Sequence, residues 1–176
     1  MTMLRDIRTV IERCKEQGKY RRVVLLGKSL GGRLAIMLAA EGIVDGLVSI
    51  AAPVRAVVFE QQFTPQQREE LASVGFTTIP HHTTYGDVPF TLKDAFLAEN
   101  RQLEPLVAAR NIRCPTLVIH GTADTVVPQS ESEDLLVALG TTQKELFLIG
   151  GGDHRLERPD HVDALVGRIV VWLHRL

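Results

Sequence analysis

Residues 23–31 read VVLLGKSLG, and this stretch decides the fold. A continuously apolar run ends at Gly27, and a helix-like segment begins directly after Ser29. The residues between them match the pattern G-x-S-x-G, which is typical of a sharp turn that joins a strand to a helix and presents a serine hydroxyl. Small residues are expected at both glycine positions, because a larger side chain there would collide with the neighbouring backbone. Ser29 is therefore the first candidate site residue.

Two other motifs share these residues and are excluded. A phosphate-binding loop needs a further glycine five positions before Gly27, where Arg22 stands. The dinucleotide-binding pattern G-x-G-x-x-G needs a glycine at the position of Ser29. A third interpretation stays open on this stretch alone, because serine at the junction of a strand and a helix is also an ordinary helix N-cap.

Composition places the chain among single-domain globular proteins. It has 176 residues, 45% of them hydrophobic, which is enough to bury a core. A formal charge of −1 without a long basic run predicts no nucleic-acid partner. Cys14 and Cys114 are too few and too far apart for a disulfide framework or a thiolate metal site, so we predict two reduced thiols, no metal and no cofactor.

The N-terminal residues 1–10 carry charges and lack the apolar core of a signal peptide. No stretch reaches the roughly 18 uninterrupted apolar residues that a membrane helix requires. The sequence therefore predicts a cytoplasmic protein with no membrane partner.

Strands alternate with helices along most of the chain. Buried strands are predicted at residues 22–27, 44–51, 114–120 and 144–149, and helices at 2–17, 30–41, 130–139 and 161–176. This alternation predicts a parallel sheet covered by helices on both faces, which is the three-layer α/β class.

The long interval between the second and third strands breaks this rhythm. Residues 53–110 are too many for an ordinary connection, so we predict a helical cap inserted at this point. The remaining residues, 1–52 and 111–176, are predicted to form the sheet domain.

Local signals divide the cap further. Thr64-Pro65 predicts a capped helix start, residues 91–110 predict one or two helices interrupted near Pro105, and residues 75–89 have the composition of a loop. Aromatic residues of the cap either offer an apolar lining or pack the cap onto the sheet: Phe59, Phe63, Phe76, Tyr85, Phe90 and Phe96.

A serine nucleophile needs a base to remove its proton and an acid to orient the base. In a fold of this kind the expected order along the chain is serine, acid, histidine. Asp124 follows the third strand and His154 follows the fourth. Because ligand sites of open α/β sheets lie at the carboxyl ends of the strands, Ser29, Asp124 and His154 are expected at one edge of the sheet. We predict that they act together, with Asp124 as the acid and His154 as the base.

Single residues of this set also allow other interpretations. Asp124 on its own is a common type of turn residue, and His154 on its own could lie at the surface. Asp153 competes for the role of the acid, but it lies in a glycine-rich loop and is interpreted as a turn residue. His120 is interpreted as shaping the acid loop, with no part in proton transfer. The ordered set of three favours the functional interpretation.

On these motifs the chain resembles the α/β-hydrolase superfamily over essentially its whole length. The residues that carry the resemblance are 27–32, 120–128 and 152–154. It implies a serine hydrolase that cleaves carboxylic esters or thioesters of a small-molecule substrate through a Ser-His-Asp triad and an acyl-enzyme. It also implies that the backbone N–H of Leu30 is one donor of the oxyanion hole. A narrower similarity, in residues 79–99 and 153–155, is to the mitochondrial palmitoyl-protein thioesterase and acyl-glucuronide esterase group, and implies fairly apolar acyl groups.

The resemblance implies an eight-stranded sheet in which the serine turn follows the fifth strand. In this sequence that strand is the first, so we expect a shortened fold that lacks the first four strands. Residues 23–26 would then form a sheet edge, which predicts pairing with a second copy of the chain or with another protein. The second oxyanion donor, which the full fold takes from the loop after its third strand, is expected to be missing.

An alternative function follows from this expectation. With half of its oxyanion hole absent, the chain would be a hydrolase-derived fragment with little or no turnover that acts as a binding or dimerising module. Haloalkane dehalogenases and epoxide hydrolases of this architecture need a carboxylate where Ser29 stands, which disfavours that activity.

Overall fold

Four parallel strands form the central sheet, as the alternation predicts. The computed structural model describes residues 2–55, 61, 63–83 and 86–176. In chain order its elements are α1 (Thr2–Glu16), β1 (Val24–Lys28), α2 (Leu30–Ala39), β2 (Gly46–Ile50), α3 (Pro65–Val74), β3 (Phe76–Thr83), β4 (Gly86–Lys93), α4 (Asp94–Arg101), α5 (Pro105–Ala109), β5 (Thr116–Gly121), α6 (Gln129–Ala138), β6 (Lys144–Ile149) and α7 (Pro159–Leu173). The sheet order is β1-β2-β5-β6, and all three pairings are parallel.

Successive residues of the strands face two separate apolar cores. On one face, Leu47 and Val118 belong to a cluster that includes Ile36 of α2 and Leu135 of α6. On the other face, residues such as Val48 and Leu117 pack in a cluster with Trp172 of α7. This alternation is the pleat of a sheet buried on both faces. The prediction of a parallel sheet between two helical layers is confirmed.

The chain divides into two compact units. One consists of Met1–Arg55 and Glu104–Leu176, and the other of Ala56–Leu103. The sheet unit includes α5, because Ala109 at the end of that helix is fully buried in the first core cluster. The sequence-based boundaries of the cap, 53–110, stay a prediction.

The unit between β2 and β5 is not purely helical, which corrects the expectation of a helical cap with a loop over residues 75–89. β3 and β4 form an antiparallel hairpin in which Pro80 lies opposite Pro89. Proline supplies no ladder donor, and for that reason the stretch resembles a loop in sequence. A two-stranded ribbon has two free edges, so it accommodates prolines that a central strand would reject.

Helix α3 of this unit begins as its sequence predicts. Thr64 accepts a hydrogen bond from the backbone N–H of Gln67 at 3.2 Å, and the Gln67 side chain accepts one from the N–H of Thr64 at 2.9 Å. The helix ends at Gly75, which has a φ of 79°. Such reciprocal capping at the start and a left-handed glycine at the end set both limits of α3.

The aromatic residues of this unit fall into different groups. Phe63 and Phe96 pack with Leu71, Leu92 and Leu97 in the unit's own apolar cluster. Phe76 and Phe90 are exposed on the hairpin. Phe59 and Tyr85 lie outside the described residues.

The strand that carries the serine turn lies at one edge of the sheet. Within the described ranges β1 pairs with β2 alone, and Leu26 keeps 50% of its surface exposed. The predicted pairing of this edge with a second copy stays a prediction. Cys14 and Cys114 are free thiols. In the part of the chain that the structure describes, no helix is long and apolar enough to cross a membrane, and no group of three or more potential ligands is arranged to hold a metal ion.

Candidate functional site

Ser29 occupies the turn between β1 and α2 in a strained backbone conformation. Its φ is 52° and its ψ is −123°, a region that residues with a Cβ atom rarely adopt. Such a residue costs on the order of 1–3 kcal/mol and persists only when its surroundings hold it. Here the Ser29 N–H donates to the carbonyl of Ile50 at 2.8 Å, and the Ser29 carbonyl accepts from the N–H of Arg33 at 3.0 Å. The turn is thereby tied to the neighbouring strand and to the helix that follows.

The N-cap interpretation of Ser29 is resolved by its side chain. Ser29 stands at the N-cap position of α2, yet its hydroxyl makes no capping hydrogen bond. Ser29 Oγ instead lies 3.0 Å from His154 Nε2. The hydroxyl therefore faces the loop after β6.

The turn requires glycine at positions 27 and 32, whereas the sequence pattern predicts positions 27 and 31. A Cβ atom on Gly27 would stand well under 3.0 Å from the backbone of Gly31, and one on Gly32 would stand 2.7 Å from the Cβ of Ala52. A Cβ on Gly31 would meet nothing within 4 Å. The expectation that both glycines of the pentapeptide are sterically required is therefore wrong for Gly31. The second close approach falls on Gly32, one residue further into the helix.

The residues after β2 are held against this helix by two buried charged side chains. Glu131 of α6 accepts from the backbone N–H of Val54 at 2.6 Å and from that of Arg55 at 3.0 Å. Arg33 of α2 donates to the carbonyl of Pro53 at 3.0 Å. Neither Glu131 nor Arg33 stands out in the sequence, because a buried charge leaves no local pattern. These bonds hold residues 53–55, which directly follow Ala52, the residue that approaches Gly32.

Asp124 serves its own turn and a neighbouring loop at the same time. Its Oδ1 atom accepts from the N–H groups of Val126 and Val127, each at 2.8 Å. Its Oδ2 atom lies 2.7 Å from His154 Nδ1 and 3.3 Å from His120 Nε2. The Oδ1 contacts are those of a turn residue, and the Oδ2 contact is the one that the predicted partnership with His154 requires.

The charge of Asp124 is stabilised by these donors. Its side chain has no exposed surface, and burial by itself would raise the pKa of the carboxyl group. Hydrogen bonds from His120, His154, Val127 and Val126 outweigh burial and hold the pKa of Asp124 well below its ordinary range. An ionised carboxylate only accepts hydrogen bonds, so His154 Nδ1 carries a proton, and in the neutral imidazole the Nε2 lone pair then faces Ser29 Oγ.

His154 reaches this position through a glycine-rich loop that is fastened to the Asp124 loop. The Ala123 N–H donates to the carbonyl of Gly152 at 2.8 Å, and the Gly151 N–H donates to the hydroxyl of Thr122 at 2.8 Å. The competing carboxylate, Asp153, accepts from the N–H of Leu156 at 2.8 Å, which is the role of a turn residue, as the sequence predicts. Ser29, His154 and Asp124 thus form a continuous chain of hydrogen-bonding groups.

His120 is a second buried partner of Asp124. It has no exposed surface, its Nδ1 lies 2.6 Å from Ser132 Oγ, and its Nε2 lies 2.9 Å from the carbonyl of Val127. A carbonyl only accepts, so Nε2 carries a proton, and in the neutral imidazole Nδ1 then accepts from the serine hydroxyl. This agrees with the interpretation that His120 shapes the acid loop. The sequence did not indicate Ser132, because a single serine in a helix carries no signal of its partner.

Leu30 is the first residue of α2. The N–H groups in the first turn of a helix have no acceptor within the helix, and the helix dipole favours negative charge at that end. The Leu30 N–H therefore lies at a helix end that suits a developing oxyanion, one residue after Ser29.

Comparisons with known proteins agree with this fold. A family model described as serine aminopeptidase, S33, matches residues 99–158, which include Asp124 and His154. The uncharacterised protein YfhR of Salmonella typhi is 28% identical over 94% of this chain and 50% of its own length. The mitochondrial palmitoyl-protein thioesterase ABHD10 of Mus musculus is 25% identical over 81% of this chain and 49% of its own length. The chain spans about half the length of the curated relatives it matches.

A solved structure shows the same fold over nearly the whole chain. The esterase domain of a protein from Rhodothermus marinus superposes with a TM-score of 0.72 and 24% identity, and the alignment covers 98% of this chain and 68% of that one. Parallel strands between two helical layers, with a serine turn after a strand, define an α/β hydrolase type of fold. The chain therefore has an α/β-hydrolase type of fold and is similar over most of its length to proteins of that superfamily.

Proposed function

We propose that the protein is a serine hydrolase of carboxylic esters or thioesters. The observation that carries the proposal is the chain of contacts from Ser29 Oγ to His154 Nε2 at 3.0 Å and from His154 Nδ1 to Asp124 Oδ2 at 2.7 Å. A nucleophile, a base and an orienting acid in hydrogen-bond reach are the signature of nucleophilic catalysis. The polarity of the chain, with a proton on Nδ1 and a lone pair on Nε2, is the one that the reaction requires.

The first step forms an acyl-enzyme. Ser29 Oγ attacks the acyl carbonyl carbon while its proton passes to His154 Nε2, and the carbonyl oxygen takes the negative charge. The ionised Asp124 stabilises the imidazolium that forms. When the tetrahedral intermediate collapses, the bond to the leaving oxygen or sulfur breaks, and His154 returns the proton to that atom.

Water completes the cycle. His154 accepts a proton from a water molecule, which attacks the acyl carbon, and the bond to Ser29 Oγ breaks as the proton passes back to the serine. The acid product is released and the free hydroxyl is regenerated. The Leu30 N–H donates to the oxyanion in both steps, and loss of one such donor typically costs about 10²- to 10³-fold in turnover.

The substrate class of the proposal draws on the relatives. Mouse ABHD10 is named a palmitoyl-protein thioesterase, and the Rhodothermus marinus neighbour is an esterase domain. These names support acyl esters and thioesters as the first substrates to test. Proteins of this superfamily catalyse many different reactions. The proposed mechanism therefore rests on the site residues, and the relatives suggest only that the leaving group is an alcohol or a thiol.

The test is turnover that depends on Ser29. Wild-type protein, Ser29→Ala and the control Ser49→Ala are assayed with p-nitrophenyl esters and acyl thioesters of increasing chain length. Ser49 Oγ is buried in β2 and has no hydrogen-bond partner among the described groups, so its removal controls for loss of a serine hydroxyl. Saturable hydrolysis by the wild type and Ser49→Ala, abolished in Ser29→Ala, supports the proposal. Absence of turnover in folded wild type, with self-association on sizing chromatography, supports a binding or dimerising module instead.

A further inference from the structure

Lys28 connects the serine turn to the loop that carries His154. It is the last residue of β1 and directly precedes Ser29, and its Nζ donates to the main-chain carbonyl of Arg155 at 2.7 Å. Arg155 directly follows His154. Ser29 and His154, the proposed nucleophile and base, are 125 residues apart in the sequence. One hydrogen bond therefore joins a residue adjacent to each of them.

The order of the strands explains why a bond between the two loops matters. In the order β1-β2-β5-β6 the strands that precede Ser29 and His154 lie at opposite edges of the sheet. Neighbouring strands are about 4.8 Å apart, so these two are separated by about 14 Å across the sheet. The loop after β6 must cross over the ends of two strands to bring His154 to Ser29. Its bonds to Thr122 and Ala123 fasten it to the loop after β5, but they do not reach the serine turn.

The hydrogen bond from Lys28 to the carbonyl of Arg155 fixes the position of the loop more than it stabilises the fold. An ammonium group that donates to a carbonyl makes a charge-assisted hydrogen bond, which is shorter and stronger than a neutral one. Partial burial lowers the pKa of Lys28, and Arg155 adds to this effect, while the carboxylates of Glu157 and Asp153 oppose it. Lys28 and Arg155 are nevertheless exposed residues, so water replaces the bond at little cost in stability. The bond matters because it fixes the position of the Arg155 carbonyl, directly after His154.

We propose that Lys28 is a positioning residue that holds the His154 loop over the sheet, so that Nε2 stays within reach of the Ser29 hydroxyl. This inference rests on the proposed function. Catalytic groups misplaced by about 1 Å lose on the order of 10²-fold in rate. Loosening this loop is therefore expected to slow acylation while substrate binding and folding stay intact.

The experiment compares three variants with the wild type. Lys28→Met keeps the length of the side chain and removes the donor, Lys28→Arg keeps a cationic donor, and Arg155→Ala is the control because it leaves the accepting carbonyl in place. The readouts are kcat and KM for a p-nitrophenyl ester, the rate of labelling by a fluorophosphonate, the Tm, and hydrogen exchange of the backbone over residues 150–157. In Lys28→Met we expect kcat and the labelling rate to fall by about 10- to 10²-fold, with faster exchange in this segment and unchanged KM and Tm.

The remaining outcomes separate this inference from the proposed function. Partial recovery in Lys28→Arg and wild-type behaviour in Arg155→Ala support the positioning role. A Lys28→Met variant that turns over as fast as the wild type overturns the role of Lys28 and leaves the proposed function standing. A loss of kcat that is matched in Arg155→Ala, or that follows a fall in Tm, also overturns it. Wild-type protein without Ser29-dependent labelling overturns both.

Discussion

The carbonyl oxygen of Gly152 occupies the space that a Cβ atom on Gly121 would need. A methyl group at position 121 would stand well under 3.0 Å from that oxygen, and one at position 152 would stand 2.7 Å from a side-chain methyl group of Leu156. Gly121 ends β5 and Gly152 lies in the loop after β6. The loops that carry Asp124 and His154 therefore meet backbone to backbone at Gly121, where a Cβ atom does not fit unless the backbone shifts.

The first prediction concerns this contact. Gly121→Ala is expected to destabilise the fold by at least about 2 kcal/mol, because the new methyl group collides with backbone that cannot rotate away. Gly150→Ala is the matched control: a Cβ atom there would meet nothing within 4 Å, so its effect should stay within about 0.5 kcal/mol. Denaturant unfolding measures both. Equal stability of the two variants would contradict the close approach of the loops.

The second prediction concerns the serine turn. Gly27→Ala is expected to cost about 2–3 kcal/mol or more, because its methyl group would enter the backbone of the first turn of α2. Gly31 lies in that first turn with open space around it, so Gly31→Ala should be neutral or should stabilise by up to about 1 kcal/mol through helix propensity. Thermal unfolding of the pair decides the matter. A Gly31→Ala variant less stable than Gly27→Ala would show that the turn is packed differently.

The third prediction concerns acid stability. Folding lowers the pKa of Asp124 below the ordinary value of about 3.9, so its charge contributes stability that is fully present above that pH and is lost as the pH falls toward the folded-state pKa. The difference in unfolding free energy between wild type and Asp124→Asn should therefore shrink as the pH is lowered from 5 to 2. Asp163→Asn, an exposed position on α7, controls for the loss of one negative charge. A difference that grows over this range would oppose the assignment of a stabilised carboxylate.

The fourth prediction concerns the partner of His120. Ser132→Ala removes the hydroxyl that His120 Nδ1 contacts at 2.6 Å and leaves a buried ring nitrogen without that donor, which costs about 1–3 kcal/mol. Ser130→Ala, two residues earlier on the exposed side of α6, should change stability by no more than about 0.5 kcal/mol. Chemical denaturation of both variants is the measurement. A Ser132→Ala variant as stable as Ser130→Ala would mean that the buried contact contributes nothing.

The sequence predicts the sheet and the location of the site because both leave local patterns. Apolar runs followed by turn residues mark the strands, and the carboxyl ends of parallel strands share an edge. Ser29, Asp124 and His154 each follow such a run, and the structure brings them into contact. Their catalytic roles stay predictions until activity is measured.

The parts that the sequence misses depend on contacts between distant segments. The sequence predicts a loop where β3 and β4 form a hairpin, because Pro80 and Pro89 are typical of loops. The hairpin tolerates them because, among the described residues, β3 and β4 pair only with each other. Gly32 was not singled out, because its constraint comes from residue 52. The bond from Lys28 to the carbonyl of Arg155 joins a side chain to a main-chain atom far along the chain, and a main-chain acceptor has no residue type to recognise.

The most direct test of the account is covalent labelling of Ser29. Folded wild-type protein and the Ser29→Ala and Ser49→Ala variants are treated with a fluorophosphonate, and the site of modification is found by mass spectrometry. We expect one adduct on Ser29 in the wild type and in Ser49→Ala, and none in Ser29→Ala. A folded wild type that does not react, or an adduct that persists in Ser29→Ala, would contradict it.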